Sequence, residues 1–287
     1  MTGLAIDMPA ADRRAFYRAV LERLNAAGVE YLVGGAFAMA GVTGIAACTK
    51  DLDLFVRERD CAAALSVLRQ AGYATAVPFR HWLAKVHCGD HVIDIIFNSG
   101  NGASPVDDSW FLHALPADVE GVPVKLCPVE EMLWTKAFVM ERERYDGADV
   151  AHLLHSCAER LDWPRLLKRF GNHWPVLLSH LVLFSYIYPG EAHRVPSAVL
   201  LELNARVADR IGETPADPKL CRGGLLSRAQ YAVDFVEWGY TDARLAPHGC
   251  MSAEDLRAWN EAAPERQRMR SATAGRPIEV VGRTEPD

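Results

Sequence analysis

Apolar positions follow two rhythms along this chain. Over residues 12–27, Phe16, Val20, Leu21 and Leu24 recur at helical spacing and Gly28 follows as a cap, which predicts an opening amphipathic helix. The short apolar run 31–33 then meets Gly34 and Gly35, after which AFAMAG returns to helix formers, so strand, tight turn and helix follow in order. Residues 51–56 read as a second strand and 59–71 as a helix ending at Gly72. Residues 81–87 and 91–97 read as a hairpin turning at Gly89 and Asp90. The stretch 98–108, rich in Gly, Ser, Asn and Pro, is a predicted loop that leads through a short helix to a strand over 122–126.

Beyond that strand the pattern turns helical. Pro128 can open a long helix running to about Arg144, with Glu130 and Glu131 suited to its positive end. Helical spacing continues to about residue 240. The longest apolar stretch, 176–188, is too short to span a bilayer and reads as a buried helix, so no membrane partner is expected. The last residues carry few large apolar groups and are predicted to be mobile. The predicted architecture is α+β: a catalytic domain over 1–126 with a mixed sheet and flanking helices, a helical domain over 127–250 and a tail over 251–287.

Composition narrows the function. In 287 residues, 50% of them hydrophobic, there is enough apolar mass for one large core or two modest ones. A formal charge of -6 argues against holding nucleic acid by bulk charge, although a local basic face could still bind tRNA or a nucleotide. The seven cysteines are scattered and form no CxxC pair, and the N-terminus lacks a secretory pattern. Reduced thiols and a cytoplasmic location are expected.

The candidate chemistry lies in three acids and two glycines. Strand residues two apart share a face, so Asp51 and Asp53 point one way while Leu52, Leu54 and Val56 point into the core. Asp94 stands opposed to Ile93, Ile95 and Phe97 on its own strand. Three carboxylates on paired strands repel one another unless cations neutralise them, and magnesium commonly bridges carboxylates and substrate phosphates. A Gly-Gly turn before a helix lets backbone amides approach a triphosphate. Each piece alone is common; their order raises the functional reading.

The segment YLVGGAFAMAGVTGIAACTKDLDLFV, followed by HVIDIIF, resembles the polymerase β-like nucleotidyltransferase superfamily over residues 30–97. Within it the chain looks most like the branch of the bacterial AbiEii-related toxins and the small aminoglycoside nucleotidyltransferases. The resemblance places Thr49 and Lys50 with Asp51 and Asp53 in the motif, and Lys136, Asp146 and Asp149 where relatives complete the nucleotide site. Where many relatives carry Ser after the first Gly, this chain has Gly35, so backbone donors alone must serve the phosphates.

The resulting expectation is transfer of a nucleoside monophosphate from ATP or another nucleoside triphosphate to a hydroxyl, with release of pyrophosphate. Asp51 and Asp53 are expected to bind both of two Mg2+ ions, and Asp94 one of them while helping to deprotonate the attacking hydroxyl. Gly34, Gly35, Thr49, Lys50 and Lys136 are the expected nucleotide-binding residues. The acceptor stays open among tRNA, protein and an aminoglycoside-like small molecule. A dinucleotide-binding fold fails because G-x-G-x-x-G is absent. A catalytically silent relative that binds a nucleotide or a partner remains the rival. His81, His87 and His91 fit no zinc spacing, and the segment 221–244 either packs as a helix or lends Arg222, Arg228 and Tyr231 to an acceptor surface.

Overall fold

In a computed structural model of the chain, residues 11–46, 49 and 51–263 are described. Helix α1 (Ala11–Ala26) leads to strand β1 (Leu32–Val33), helix α2 (Gly35–Thr43), strand β2 (Leu52–Phe55) and helix α3 (Glu58–Gln70). Three strands follow, β3 (Ala74–Phe79), β4 (Leu83–Cys88) and β5 (His91–Ile96), then helix α4 (Asp108–Leu112) and the hairpin β6 (Leu115–Val119) and β7 (Val122–Leu126). These seven strands form one mixed sheet in the order β3-β4-β5-β2-β1-β7-β6. The pairs β2 with β5 and β1 with β7 are parallel and the others antiparallel. The chain is therefore α+β, as its periodicity implied.

The sheet has a closed and an open face. Leu52, Leu54, Ile93 and Ile95 are wholly buried and pack in one core with Val20, Leu21 and Leu24 of α1 and Ala64, Leu65 and Leu68 of α3. Their alternates, Asp53, Phe55, Asp94 and Ile96, line a cleft. Period-two alternation thus places Leu and Ile under the helices and turns the two acids, with Phe55 and Ile96, to the cleft, which also locks the register. Two strands escaped the sequence pattern: β3 and β6 lie at the sheet edges, where most of their residues are exposed or half-exposed and the alternation weakens.

The helical region comprises α5 (Val129–Ala137), α6 (Gly147–Cys157), α7 (Trp163–Phe170), α8 (Trp174–Ile187) and α9 (Ser197–Asp209). Helix α5 is anchored through its first turn: Glu131, with no exposure, accepts from Arg165 at 2.6 Å and Arg169 at 2.8 Å, and Glu130 also pairs with Arg165. The long helix expected to reach about Arg144 instead stops at Ala137. A tight turn follows, with Glu141 N–H donating to the Arg144 carbonyl at 2.8 Å and Met140 bridging Tyr145. Arg144 and Lys136 converge on Asp146 at the start of α6, an arrangement a continuous helix would pull apart. The stretch expected to be a buried helix forms α8, of which Leu177, Leu181 and Phe184 are buried while Val182, Leu183, Tyr186 and Ile187 are exposed. No helix among the described residues is long and apolar enough to cross a membrane.

The chain ends its described course with β8 (Leu220–Cys221), α10 (Gly223–Leu226), α11 (Ala232–Val236), β9 (Thr241–Asp242) and α12 (Ala253–Glu261). Residues 253–261 had been expected in a mobile tail, but Ser252 and Asp255 form a capping box that starts α12, which packs on β3. The rest of the predicted tail, 264–287, lies outside the described residues.

Candidate functional site

The Gly34-Gly35 turn and strand β2 are built against each other. Gly34 N–H donates to the Asp53 carbonyl at 2.9 Å. A Cβ on Gly34 would stand 2.2 Å from the Phe55 ring, and one on Gly35 only 1.7 Å from an Asp53 carboxylate oxygen. Gly35 also has φ +54°, a conformation L side chains rarely adopt. Both glycines are thus required by this strand, and α2 starts at Gly35 with its unsatisfied first-turn amides beside the Asp53 carboxylate.

Asp53 and Asp94 are register partners on the parallel strands β2 and β5. Burial pushes Asp53 up to about 7, with the Asp94 and Asp51 charges adding and Lys136 and Arg144 opposing. Burial also raises Asp94, against the pull of Lys85, whose Nζ lies 2.6 Å from its carboxylate. The wholly buried Tyr17 phenol is pushed up to about 12, chiefly by burial, and Asp51, Asp53 and Asp94 all act on it in the same direction. All three acids therefore bear on one region.

They do not bear on it equally. Asp51 is exposed and does not line the cleft. Thr49 closes the turn before β2: its hydroxyl donates to the Asp51 carbonyl at 2.9 Å and accepts from the Asp51 amide at 3.2 Å. This backbone role differs from the expected contact with a nucleotide, and Thr49 is not among the cleft residues. Lys50 lies outside the described residues.

Another wall of the cleft belongs to α5 and the turn that leads from it to Asp146, just before α6. Lys136 Nζ sits 2.5 Å from Asp149 and 3.4 Å from Asp146. Arg144 grips Asp146 with two hydrogen bonds of 2.9 and 2.8 Å. Burial alone would raise Asp146, but Arg144 and Lys136 hold its carboxyl below the usual range. Gly34, Gly35, Asp53, Asp94, Lys136 and Arg144 share a cleft of about 390 Å³, within the size of small-ligand sites.

Sequence reasoning missed Arg144 as a site residue, since RERYD reads equally well as a solvated helix face. It also passed over Lys85, which was within reach. Once the hairpin turn is set at Gly89 and Asp90, antiparallel pairing puts Lys85 directly opposite Asp94. The aromatic end of the cleft, with Trp82, Trp110 and Trp259, left no local signal because its members come from distant segments.

Among the described residues, no group of three or more His, Cys, Asp and Glu side chains forms a ready cage for a metal ion. The donor set nevertheless suits a hard cation. Two carboxylates stand side by side, and one of them is protonated more readily than usual, first because it is buried and then because Asp94 and Asp51 lie near it. Magnesium typically takes one or two carboxylates and completes its shell with water and substrate phosphates.

Comparison with family models found no match, and comparison with curated proteins found none either. Among solved structures, the chain is similar to the antibiotic-resistance factor ANT(2'')-Ia in solution, with 15% identity over 59% of this chain and 96% of that one and a TM-score of 0.42. It is similar to a nucleotidyltransferase-like antigen of Paracoccidioides brasiliensis, with 15% identity over 66% and 97% and a TM-score of 0.41. It is also similar to the lincosamide adenylyltransferase LnuA with lincomycin bound, with 14% identity over 52% and 100% and a TM-score of 0.38. None of these three is described as an AbiEii-like protein, so the expected branch is not supported by them. Likenesses of this degree carry no argument about the reaction, so the functional reading rests on the site.

Proposed function

We propose that this chain is a nucleotidyltransferase that moves a nucleoside monophosphate from ATP or another nucleoside triphosphate to a hydroxyl acceptor and releases pyrophosphate. The observation that carries the reading is the pairing of Asp53 with Asp94 beside the Gly34-Gly35 turn, across a cleft from Lys136 and Arg144. A buried carboxylate, Asp53, shares the cleft with Lys136 and Arg144, whose charges Asp146 and Asp149 hold, and a metal-bound triphosphate would engage both sides.

In this reading Asp53 and Asp94 would hold Mg2+, with Asp51, two residues before Asp53, as the further carboxylate donor. Two such ions, when bound, would supply Lewis acidity at the α-phosphate and lower the pKa of the acceptor hydroxyl. Asp94 accepts the acceptor's proton as the hydroxyl oxygen attacks the α-phosphorus and the bond to the β-phosphate oxygen breaks. The amides after Gly34 and Gly35 hold the β and γ oxygens, and Lys136 and Arg144 balance the charge of the departing pyrophosphate. Asp146 and Asp149 fix the positions of Lys136 and Arg144. The region over 1–126 serves as the catalytic domain, and the helical region after it completes the cleft.

The test is pyrophosphate release from each of the four nucleoside triphosphates with Mg2+, offered total tRNA, cell protein or small hydroxyl compounds. Wild type is compared with Asp51→Ala plus Asp53→Ala. Release that needs Mg2+ and both acids supports the reading, and its absence from a folded protein under every condition overturns it.

One observation favours a second reading, a nucleotide-binding relative without turnover. Lys85 already supplies Asp94 with a cationic partner at 2.6 Å. Under that reading nucleotide binds while no pyrophosphate is released, and Lys85→Met leaves both results unchanged.

A further inference from the structure

The two acids of the sheet wall belong to a row of side chains that continues past them. Register places Asp53 of β2 beside Asp94 of β5, Asp94 beside Lys85 of β4, and Lys85 beside Ala76 of β3. Register partners share a face, so the row reads carboxylate, carboxylate, ammonium, methyl. Asp53 and Asp94 line the cleft, and Lys85 stands just outside it. The Lys85 Nζ donates to one oxygen of Asp94 at 2.6 Å.

Two observations set this lysine apart from one that merely closes an ion pair. First, it is held loosely. Lys136 has two carboxylate partners and a side chain 17% exposed, whereas Lys85 pairs with Asp94 alone among the described residues and is 32% exposed. Its neighbour on the far side, Ala76, is short and exposed, which leaves the flexible stem an open path to water. Second, it sits on the carboxylate that stands next to Asp53, where two hard oxygen donors meet on neighbouring strands. An ammonium and a divalent ion on one carboxylate repel each other at short range, so the two are rivals for Asp94.

We propose that Lys85 is a displaceable counter-ion, which holds Asp94 in the free protein, gives way when a divalent cation binds, and so sets how much free cation the acids require. The proposal deepens the transferase reading, on which it rests for the role of Asp53 and Asp94 as cation ligands. A loose divalent ion has to compete with an ammonium tethered beside its site. An ion carried on a triphosphate brings phosphate oxygens as further ligands and displaces the lysine more readily. Uptake of the ion is thereby tied to arrival of the nucleotide.

Cation binding to the full chain without nucleotide tests it. The probe is Mn2+, which shares magnesium's preference for oxygen ligands and whose free form gives an electron paramagnetic resonance signal that binding removes. At pH 8, above the range in which Asp53 keeps its proton, Lys85→Met should bind Mn2+ about tenfold more tightly than wild type. Lys85→Gln, a second neutral variant, should do the same. Lys85→Arg, which keeps the charge, should stay within about twofold of wild type. With Asp94→Asn in place there is no carboxylate left to compete for, and the gain from Lys85→Met should shrink below about threefold. Equal or weaker Mn2+ binding by both neutral variants overturns the proposal, even where wild type releases pyrophosphate. A gain in Mn2+ affinity with no pyrophosphate release from any triphosphate supports the competition and removes the transferase reading instead.

Discussion

The two walls of the cleft solve their electrostatics in opposite ways. On the helical wall every cation has its own carboxylate: Lys136 has Asp149 and Asp146, and Arg144 holds Asp146 with two hydrogen bonds. On the sheet wall Asp53 has no hydrogen-bonded cation among the described residues, stands beside Asp94 and is pushed up to about 7, chiefly by burial. The helical wall is complete as it stands. The charge of Asp53 on the sheet wall is left to be met, and that asymmetry is what supports placing the proposed chemistry at β2 and β5.

The largest expected effect comes from removing that unmet charge. Asp53→Asn should lower Mg2+-dependent pyrophosphate release by about a thousandfold or more, the scale of a lost transition-state partner. The same variant should be more stable than wild type at pH 8. A carboxyl raised from 3.8 to about 7 keeps its proton in the folded chain over a range where the unfolded chain has released it. Stability therefore falls as pH rises from about 4 to about 7, and the full penalty persists above that. Thermal unfolding should show Asp53→Asn several degrees above wild type at pH 8 and level with it near pH 4. Equal melting at both pH values would mean that the two walls do not differ as described.

Next in size is the glycine that accommodates this carboxylate. Gly28 and Gly35 share a positive φ, +66° and +54°, but a Cβ on Gly28 meets nothing within 4 Å while one on Gly35 meets Asp53 Oδ2 at 1.7 Å. Gly28→Ala should cost about 1 kcal/mol, the strain of the left-handed backbone alone. Gly35→Ala should cost about 2–4 kcal/mol in denaturant unfolding, because overpacking adds to that strain. Combining Gly35→Ala with Asp53→Gly should recover most of the difference, which a purely backbone effect could not produce.

The same asymmetry explains what could be read from the residues alone. Gly34, Gly35, Asp53 and Asp94 were legible because each is decided by local rules: a turn that needs glycine, and period-two strands that set one acid apart from apolar neighbours. The sheet wall is therefore written in short spans of sequence. The helical wall is not. Residues 138–146 carry helix-compatible residues, and only the convergence of Lys136 and Arg144 on Asp146 shows that the helix must break. The aromatic end is harder still, since Trp82, Trp110, Arg228 and Trp259 meet only through tertiary packing of the last helix against the sheet edge. Thr49 was placed among the nucleotide-binding residues by resemblance, and the structure adds that its hydroxyl bonds the backbone of Asp51.

On the helical wall, substitutions should act on binding more than on turnover. Lys136→Met is expected to raise the KM for the nucleoside triphosphate about tenfold with a smaller change in kcat, as loss of a charge-assisted phosphate contact would do. Circular dichroism should show the fold retained, because Asp146 keeps its two bonds from Arg144. An equal fall in kcat and in kcat/KM with KM unchanged would move Lys136 from holding the triphosphate to acting on the transition state.

The smallest effect is the most discriminating, because its sign differs from that of the rest. Asp149 is 40% exposed and bonds Lys136 at 2.5 Å, so the pair is worth less than about 1 kcal/mol to stability. Its competition with a phosphate for the same ammonium is direct, however. Asp149→Asn keeps a weaker, neutral partner in place and frees part of the lysine's charge, while Asp146 still holds the side chain toward the cleft. If the helical wall is a charge reserve held by its own carboxylates until a triphosphate arrives, this variant should bind nucleotide about twofold to threefold more tightly, measured by titration without turnover. If Asp149 instead orients Lys136 so that its charge reaches the phosphates, the same titration should show weaker binding. A wall that is already complete can only be loosened by removing an acid, whereas the sheet wall loses its function when an acid is removed, so the two acids should respond in opposite directions.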